Sequence, residues 1–455
     1  MTMTSRNPAT GTVLKSYPEH DTRQIKDALE HADQAYRRWR RTGVTQRAQP
    51  VRAAGAWLRT HAQEYAELMA QEMGKPVTQG RSEIEKCAGL CDYYAEHAEE
   101  FLKPESVSTD ATKSYVVFEP LGVLLAVMPW NFPFWQVFRA AIPALMAGNA
   151  VVLKHAANVP GCAMAIEAVF RSAQLSEHLF QSLLVGSEQV AGMIEHPAVK
   201  AVTLTGSTPA GQAVAAKAGS VLKKTVLELG GSDPYVVLED AQLAATVETC
   251  TASRLINSGQ SCIAAKRFIV VRVLQRQFEE RMVDAMRAYK VGDPLQEDTQ
   301  VGPMARRDLR DSLHAQVQRS MKQGARLLLG GVVPEGPGAY YPPTILTDVT
   351  KGMPAYDEET FGPVAAIIPV HDEAEAIRVA NDSPFGLGAA VFTSDVKRGE
   401  RIAATELEAG CCVVNAFVRS DPRLPFGGIK QSGYGRELSS FGIREFVNIK
   451  SLYIT

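Results

Sequence analysis

The chain has 455 residues, which is too long for a single hydrophobic core and indicates two or three domains. Apolar residues make up 45% of it and charged residues 22%, and the formal net charge is −2, so neither nucleic acid nor an anionic membrane surface is an expected partner. The most apolar run, residues 121–135, is interrupted by Pro129 and Pro133 before it could span a bilayer.

Cysteine usage favours a reducing compartment. The seven cysteines include no Cys-x-x-Cys pair, and no histidine cluster has the spacing of a zinc site. Cys87 and Cys91 fall on one face of a predicted helix, where two thiols alone seldom bind a metal. The first residues contain no apolar signal segment. We therefore expect a cytoplasmic protein without disulfides or a structural metal.

The N-terminal part of the chain is predicted to be mainly helical. Residues 6–17 are typical of a hairpin with Gly11 at the turn. Apolar residues at intervals of three and four predict helices over residues 21–40, 45–73 and 81–101, and Gly74 is a stop signal for the second of them. From residue 113, β-branched and apolar residues on both sides of a Pro-Leu-Gly turn predict two strands.

Strands and helices then alternate. Strands are predicted over residues 150–154, 181–185, 201–205 and 225–229, with helices that begin near residues 162, 188 and 208. A second alternating block covers residues 234–447. Such alternation indicates an α/β fold with parallel sheets and crossover helices. The tail, residues 445–455, is again strand-like and is expected to pair with the strands after residue 113 or with a neighbouring subunit.

Two residues in the centre of the chain are candidates for catalysis. Glu228 lies near the end of a predicted strand, just before Gly230 and Gly231, at the edge where open α/β sheets keep their chemistry. Cys262 follows a predicted helix and a turn, among small polar residues. Taken alone, each has a more common structural explanation. Together, with the glycine pair after the first and Gly-Gln before the second, they resemble the active-site signature of the aldehyde dehydrogenase family.

Further motifs in family order extend this resemblance from Asn-Pro-Ala-Thr-Gly near residue 7 to the C-terminus. They include Met-Pro-Trp-Asn-Phe-Pro around Asn131, Thr-Leu-Thr-Gly-Ser at residues 203–207, the strand that ends in Lys154, Glu-Glu-Thr-Phe-Gly-Pro around residue 360, and residues 425–437. A Gly-x-Gly-x-x-Gly sequence is absent, so the chain has no standard Rossmann fingerprint.

The resemblance implies a fold and a domain organisation. The implied fold is α/β and aldehyde dehydrogenase-like, with a Rossmann-type dinucleotide-binding domain (residues 1–105 and 122–231) and an α/β catalytic domain (residues 232–445). Residues 106–121 and 446–455 would form a β arm for oligomerisation. Because an apolar arm left unpaired would be an aggregation-prone edge, a homodimer or homotetramer is expected.

The resemblance also implies NAD or NADP as the cofactor. The cofactor-binding residues it implies are Pro129, Trp130, Lys154, Ala157, Gly206, Ser207, Leu229, Glu359 and Phe361. Free N–H groups at the helix start after Gly206 suit a pyrophosphate. Ala157 stands where NAD-preferring members carry a glutamate that binds both ribose hydroxyls, which leaves room for the 2′-phosphate of NADP. His155 replaces a proline of the family. Mixed use of NAD and NADP is expected.

The family's chemistry implies roles for three residues. Cys262 would attack the aldehyde carbon as a thiolate, while the Asn131 amide and the Cys262 backbone N–H stabilise the oxyanion. Hydride transfer to the nicotinamide then leaves a thioester, which water activated by Glu228 would hydrolyse. Acylating relatives, which pass the thioester to coenzyme A, lack this glutamate. A free acid is therefore the expected product.

The substrate is expected to carry a carboxylate. Gln136 and Arg139 share one face of the predicted helix after Asn131, and a buried arginine requires an anion. The family's succinate-semialdehyde dehydrogenases resemble this chain in that arginine and in Ser420, beside which lies Arg419, but Ile256 replaces their second arginine. The expected reaction is oxidation of succinate semialdehyde to succinate.

Two other interpretations stay open. In a broad-specificity aliphatic or aromatic aldehyde dehydrogenase, Arg139 would point elsewhere, into a salt bridge at the surface or at a subunit interface. A catalytically retired structural or binding protein is the third possibility, against which the presence of Cys262, Glu228, Asn131 and Lys154 argues.

Overall fold

The computed structural model describes residues 2–455, in which helices and strands alternate over most of the chain. The helices are α1 (Thr22–Trp39), α2 (Val44–Thr60), α3 (Ala62–Met73), α4 (Val77–Leu102), α5 (Trp135–Ala147), α6 (Pro160–Ser172), α7 (Val190–Glu195), α8 (Thr208–Ser220), α9 (Leu243–Leu255), α10 (Arg272–Arg287), α11 (Arg307–Lys322), α12 (Pro354–Asp357), α13 (Glu373–Asn381), α14 (Val396–Thr405) and α15 (Ser439–Glu445).

The strands are β1 (Thr2–Arg6), β2 (Val13–Pro18), β3 (Glu105–Ser106), β4 (Lys113–Pro120), β5 (Val123–Met128), β6 (Ala150–His155), β7 (Phe180–Ser182), β8 (Val199–Thr205), β9 (Lys224–Glu228), β10 (Pro234–Val237), β11 (Arg267–Val271), β12 (Arg326–Leu329), β13 (Thr344–Thr347), β14 (Val364–Val370), β15 (Phe385–Gly386), β16 (Gly388–Phe392), β17 (Cys411–Val414), β18 (Ile429–Lys430), β19 (Gly433–Tyr434) and β20 (Val447–Ile454). The predicted N-terminal hairpin is confirmed, because β1 and β2 pair antiparallel.

A six-stranded sheet in the order β19-β9-β8-β5-β6-β7 forms the centre of the first core. Its strands from β9 to β7 run parallel, and the short β19 is antiparallel to β9. Strands β5 and β6 are nearly continuous apolar runs, as expected for parallel strands covered on both faces. The carboxyl ends of β5, β8 and β9 consequently lie side by side at one edge.

A seven-stranded sheet in the order β12-β13-β14-β11-β10-β16-β17 forms a second core. All neighbouring strands in it are parallel except β12, which pairs antiparallel with β13 at the edge. Strands β10, β11 and β16 are buried along their whole length, and α10, α13 and α14 pack against the sheet. The loop between α9 and β11 carries Cys262.

The third sheet has the order β20-β4-β3. Strand β20 pairs antiparallel with β4 along its length, from Val447 opposite Pro120 to Ile454 opposite Lys113. This confirms that the strand-like tail pairs with the strand that begins at residue 113. The α/β class with parallel sheets is also confirmed. The domain boundaries stay a prediction, and Met1, which belongs to the predicted dinucleotide-binding domain, lies outside the described residues.

Two helix predictions are wrong in their bounds. Residues 45–73 form α2 and α3 instead of one helix, because the backbone of His61 leaves the helical region (φ −110°, ψ 19°). The His61 ring stacks on Trp57 with 4.1 Å between the centroids, and its Nδ1–H donates to the Trp57 carbonyl oxygen (2.9 Å). The helix expected from residue 81 begins earlier, at Val77, with Pro76 as its N-cap.

Candidate active site

The predicted catalytic residues converge where the two large sheets approach each other. Glu228 ends β9 and Asn131 follows β5, so both lie at the carboxyl edge of the six-stranded sheet. Cys262 lies in the loop between α9 and β11, in the part of the chain that forms the second core. A Cβ atom added at Gly231 would lie 2.7 Å from the Cys262 carbonyl oxygen. The glycine pair after Glu228 therefore lets the strand end and the cysteine loop meet through their backbones.

The cysteine loop begins with an unusual turn. Asn257, Ser258 and Gly259 have φ values of 53°, 56° and 76°, a left-handed run that costs free energy for residues other than glycine. A side chain at position 259 would collide with the backbone of Gly362. The buried Arg254 donates from Nη2 to the Gly259 carbonyl oxygen (2.6 Å). These contacts hold the turn that leads into Cys262.

Two amide side chains join the loops that carry Asn131 and Cys262. Asn257 Nδ2–H donates to the Asn131 carbonyl oxygen (2.7 Å) and to the Gln260 carbonyl oxygen (3.0 Å). Asn131 Nδ2–H donates to the same Gln260 oxygen (3.2 Å), which leaves its second amide hydrogen free. Gln260 Oε1 accepts the N–H of Ala305 (2.9 Å). The predicted oxyanion donor is thus held firmly beside the loop of the predicted nucleophile.

Lys266 binds the backbone of the predicted nucleophile from the carboxyl side of its loop. Its buried ammonium group donates to the carbonyl oxygens of Ser261 (2.9 Å) and Cys262 (2.6 Å) and lies 3.4 Å from the Glu359 carboxylate. Burial raises the pKa of the Cys262 thiol to about 12, although the nearby Arg139 and Lys266 cations act in the opposite direction. The two cations therefore favour the thiolate that nucleophilic attack requires.

Glu228 is a buried carboxylate without a fixed partner. Neither of its oxygens has a hydrogen-bond partner among residues 2–455. Burial raises its pKa well above the ordinary value, while the charge of Arg139 opposes this rise and that of Glu437 adds to it. A carboxylate with a raised pKa near a nucleophilic thiol has the properties of a general base at neutral pH.

Arg139 already has an anionic partner inside the protein. Its guanidinium pairs with the carboxylate of Glu437, and both side chains are buried. Its Nη2–H also donates to Thr205 Oγ1 (3.4 Å), and the group lies 4.8 Å from the centroid of the Phe426 ring. The anion that the sequence requires for this arginine is thus supplied by the chain itself. Its charge acts on Cys262 and Glu228, as the pKa directions of both groups indicate.

A cavity of about 70 Å³ opens beside Cys262. The structure brings the four predicted substrate residues into its wall: Gln136, Arg139, Arg419 and Ser420. The wall also contains Lys86 of α4, which was not predicted. Most other lining residues are aromatic or aliphatic, and none is an aspartate or glutamate. Such a wall fits a short aliphatic chain with a negatively charged end.

The phosphate-facing part of the predicted cofactor site combines an open helix start with an unpaired lysine. Gly206 and Ser207 precede α8, and the Ser207 side chain does not cap the helix. A side chain at Gly211 would collide with Leu229, so Leu229 lies beside the first turn of α8. Lys154 is the penultimate residue of β6, the strand next to β5, and forms no ion pair within residues 2–455. Free N–H groups and a cation suit a dinucleotide.

The part of the site that is predicted to face the nicotinamide contains two packed aromatic rings. Trp130 and Phe361 pack edge to face, with 5.8 Å between the ring centroids, and Pro129 precedes Trp130 in a half-buried position. Glu359 Oε1 accepts the N–H of Gly231 (3.0 Å). Ala157, by contrast, is exposed in the turn before α6. The exposed Ala157 thus contrasts with the packed residues predicted to lie near the nicotinamide.

Buried side chains that no motif singled out hold the Asn131 loop. Glu83 of α4 accepts the N–H groups of Phe134 and Trp135 (2.9 Å each) and pairs with the buried Lys75. The Lys75 ammonium in turn lies 3.8 Å from the centroid of the Phe132 ring. Glu83 thus satisfies N–H groups at the start of α5, the position where a carboxylate is most stabilising.

His155 ties the same loop to β6. Its Nε2–H donates to the Pro133 carbonyl oxygen (3.0 Å), and its Nδ1 accepts the N–H of Ala156 (2.8 Å). Burial lowers the pKa of His155 to about 4, so the ring is neutral at physiological pH. These hydrogen bonds satisfy both ring nitrogens of the buried His155.

One of these missed residues left a weak signal in the sequence. Glu83 lies among the mainly apolar residues of the buried face of α4, which is unusual for a charged residue. Lys266 follows Cys262 by four positions, which is the spacing of one helical turn, but the loop is not helical, so no periodicity identifies Lys266.

Within residues 2–455 no cluster of metal-ligating side chains occurs, and none of the helices there is long and apolar enough to cross a membrane.

Comparison with known sequences identifies the family. The model of the aldehyde dehydrogenase family matches residues 1–452. The succinate semialdehyde dehydrogenase NAD(P)+ Sad of Escherichia coli is 48% identical over 449 residues, which cover 99% of this chain and 97% of that protein. The probable succinate-semialdehyde dehydrogenase NADP(+) of Synechocystis is 47% identical over 454 residues, and 100% of both chains is covered.

Solved structures agree with these sequences. The succinic semialdehyde dehydrogenase of Streptococcus pyogenes in complex with NADP+ superposes with a TM-score of 0.97 at 38% identity and covers 99% of both chains. An aldehyde dehydrogenase of Mycobacterium tuberculosis complexed with NAD+ gives a TM-score of 0.96 at 33% identity, with 100% of this chain and 95% of that chain covered.

Glu83→Ala is expected to lower the free energy of unfolding by about 3–5 kcal/mol, because Lys75 would stay buried without its anion. Urea-induced unfolding followed by circular dichroism measures the change. Glu85, on the same helix as Glu83, provides the matched control: Glu85→Ala breaks an exposed ion pair with Arg59 of α2 and should cost less than about 1 kcal/mol. Equal losses in the two variants would contradict the role assigned to Glu83.

Proposed function

The chain belongs to the aldehyde dehydrogenase family and oxidises aldehydes with NAD(P)+, and we propose that its substrate is succinate semialdehyde, with succinate as the product. The observation that carries the proposal is the cavity beside Cys262, in which all charged lining residues are cations: Lys86, Arg139 and Arg419. A short aldehyde with a carboxylate at its far end complements this wall. The names of the E. coli and Synechocystis relatives support the same substrate.

In the proposed mechanism, Cys262 attacks the aldehyde carbon as a thiolate, which the Arg139 and Lys266 cations favour. A C–S bond forms and the carbonyl electrons move to the oxygen. The free amide hydrogen of Asn131 and the backbone N–H of Cys262 donate to this oxyanion. Bound NAD(P)+ would supply the acceptor for the hydride that leaves the substrate carbon, and a thioester would remain on Cys262.

Eight of the predicted residues are proposed to hold the cofactor, with the exposed Ala157 leaving space beside it. The helix start after Gly206 and Ser207 would bind the phosphates, and Lys154 the adenosine ribose. Glu359 would bind the nicotinamide ribose, and Trp130, Pro129, Leu229 and Phe361 would line the ring's approach to Cys262. The uncapped helix start and the unpaired lysine support this assignment.

Glu228 is proposed to complete the reaction as the general base of hydrolysis. Its unpaired carboxylate can accept a proton from a water molecule as that water attacks the thioester carbon. The Cys262 thiolate leaves, and the acid is released. Because burial raises the pKa of Glu228, its carboxylate becomes protonated, and hydrolysis slows, at a higher pH than for an exposed glutamate.

Glu228→Gln is expected to reduce steady-state turnover by roughly 10²- to 10⁴-fold, since only hydrolysis needs the carboxylate. One equivalent of NAD(P)H per active site should still form in a rapid burst, which stopped-flow absorbance at 340 nm measures. The acid limb of the wild-type pH profile should disappear from the residual rate. An unchanged steady-state rate, or loss of the burst in a folded variant, would refute the assignment.

The cofactor preference is proposed to depend on position 157. Ala157→Glu is expected to lower kcat/KM for NADP+ at least about tenfold relative to NAD+, because the new carboxylate would repel the 2′-phosphate and accept from the ribose hydroxyls. Ala157→Gln has the same size without the charge and should change the ratio much less. The proposal fails if the wild type is inactive with NADP+ or if the glutamate variant keeps the wild-type ratio.

The substrate proposal is tested with two aldehydes that differ in charge. The initial rate of NAD(P)H formation with succinate semialdehyde is compared with that of butanal, which has the same chain length. We expect kcat/KM to be at least about tenfold higher for the acid, because its carboxylate gains a charge-assisted contact. The neutral methyl ester of succinate semialdehyde controls for polarity. Equal values for all three would favour the broad-specificity alternative.

Assembly and compartment are further parts of the proposal. We propose a homodimer or homotetramer, because β20 is the edge strand of its sheet and exposes Ile449, Tyr453 and Ile454. We also propose a reducing compartment such as the cytoplasm, because Cys262 can act as a nucleophile only as a free thiol.

A further inference from the structure

Lys86 is a cation in the cavity wall without an anion to match it. It lies in the middle of α4, and its ammonium group donates to Ser420 Oγ (2.7 Å) and lies 4.1 Å from the centroid of the Trp135 ring. Among residues 2–455 no carboxylate lies within ion-pair distance of it. Both of its partners are buried, with 5% of Ser420 and 3% of Trp135 exposed. A charge in such a position is stabilised by a bound anion.

The other two cations of the wall are less suited to bind an anion. Arg139 is already paired with Glu437, so a substrate carboxylate would have to compete with an internal one. Arg419 is exposed, and solvent and salt screen its charge. Lys86 is half-buried against buried side chains and has no competing carboxylate, so its charge is screened less than that of an exposed group.

Lys86 and Ser420 together offer a matched set of donors. An ammonium group has three N–H bonds, of which one is used for Ser420 Oγ. The hydroxyl hydrogen of Ser420 is then free to point into the cavity, beside the two remaining N–H bonds. A carboxylate has two oxygens that can accept these hydrogens. The Trp135 ring beneath the ammonium excludes water from one side of the contact.

We propose that Lys86, together with Ser420, binds the distal carboxylate of the aldehyde substrate and thereby sets the preference for semialdehyde acids over neutral aldehydes. The inference deepens the proposed function and rests on it. It assigns to α4 a specificity role that the sequence placed on Arg139. Arg139 is then a residue that acts on Cys262 and Glu228 through its charge.

The surroundings of Lys86 give the contact a pH dependence. Burial lowers its pKa to about 8, and the charge of Arg139 on α5 acts in the same direction. Cys87 and Glu83 on its own helix and Asp421 in the loop beyond Ser420 act in the opposite direction. Because the neutral amine no longer attracts a carboxylate, the preference for the acid should fall as the pH rises through this pKa.

The experiment measures kcat/KM for succinate semialdehyde and for butanal with purified full-length enzyme between pH 6.5 and 9.5. Lys86→Met keeps the side-chain length without the charge and should lower kcat/KM for the acid by roughly 10- to 100-fold. Its value for butanal should change less than about threefold. Lys103→Met, at the exposed C-cap of the same helix, is the control and should match the wild type.

Lys86→Arg separates charge from structure. Because an arginine stays protonated above pH 9, this variant should retain a preference for the acid at the alkaline end of the range, where the wild type loses it. In Lys86→Met the ratio of the two kcat/KM values should be low and independent of pH. These two profiles would not follow from a purely structural role of Lys86.

The outcomes distinguish the inference from the function on which it rests. If the wild type prefers the acid and Lys86→Met keeps that preference, the inference is overturned and the proposed function stands. If Lys86→Met loses activity equally with both aldehydes, Lys86 is structural and the inference is again overturned. If the wild type itself shows no preference for the acid, the proposed function fails and the inference with it.

Discussion

The geometry of the active site depends on the amide side chains of Asn131 and Asn257. They cross-link a loop of the six-stranded sheet to the loop that leads into Cys262, through shared hydrogen bonds to the carbonyl oxygens of Asn131 and Gln260. Asn257 itself has a positive φ of 53°, which these buried hydrogen bonds must stabilise. The strained turn and the proposed oxyanion donor are therefore parts of one network, and the loop of the proposed nucleophile is held by groups from both cores.

Three buried cations around this network each lie close to a carboxylate. Lys75 pairs with Glu83, Arg139 pairs with Glu437, and Lys266 binds two carbonyl oxygens close to Glu359. Each of these cations is neutralised or fully hydrogen-bonded, as burial in a low dielectric requires. Lys86 departs from the pattern, since its protein partners are a hydroxyl and an aromatic ring. The departure occurs in the wall of the cavity, where a ligand rather than a side chain can supply the anion.

The sequence predicted those features that are local and missed those that depend on distant partners. Strand alternation and continuous apolar runs were sufficient for the parallel sheets, and short motifs were sufficient to single out Glu228, Cys262 and Asn131. The ion pair of Arg139 could not be predicted, because Glu437 is far away in the chain and belongs to a different motif. The break at His61 was missed because a ring nitrogen competes for a backbone carbonyl inside an otherwise periodic helix.

The proposed carboxylate contact has a consequence for catalysis as well as for specificity. Lys86 belongs to a helix of the first core, whereas Ser420 follows β17, the last strand of the seven-stranded sheet in the second core. A carboxylate bound to both side chains would therefore bridge the two cores. Cys262 and Asn131 likewise belong to different cores. Binding energy from the remote carboxylate can therefore help to fix the distance between the aldehyde carbon, the sulfur and the oxyanion donor. A neutral aldehyde meets the same reacting groups, but it lacks the contact that aligns them.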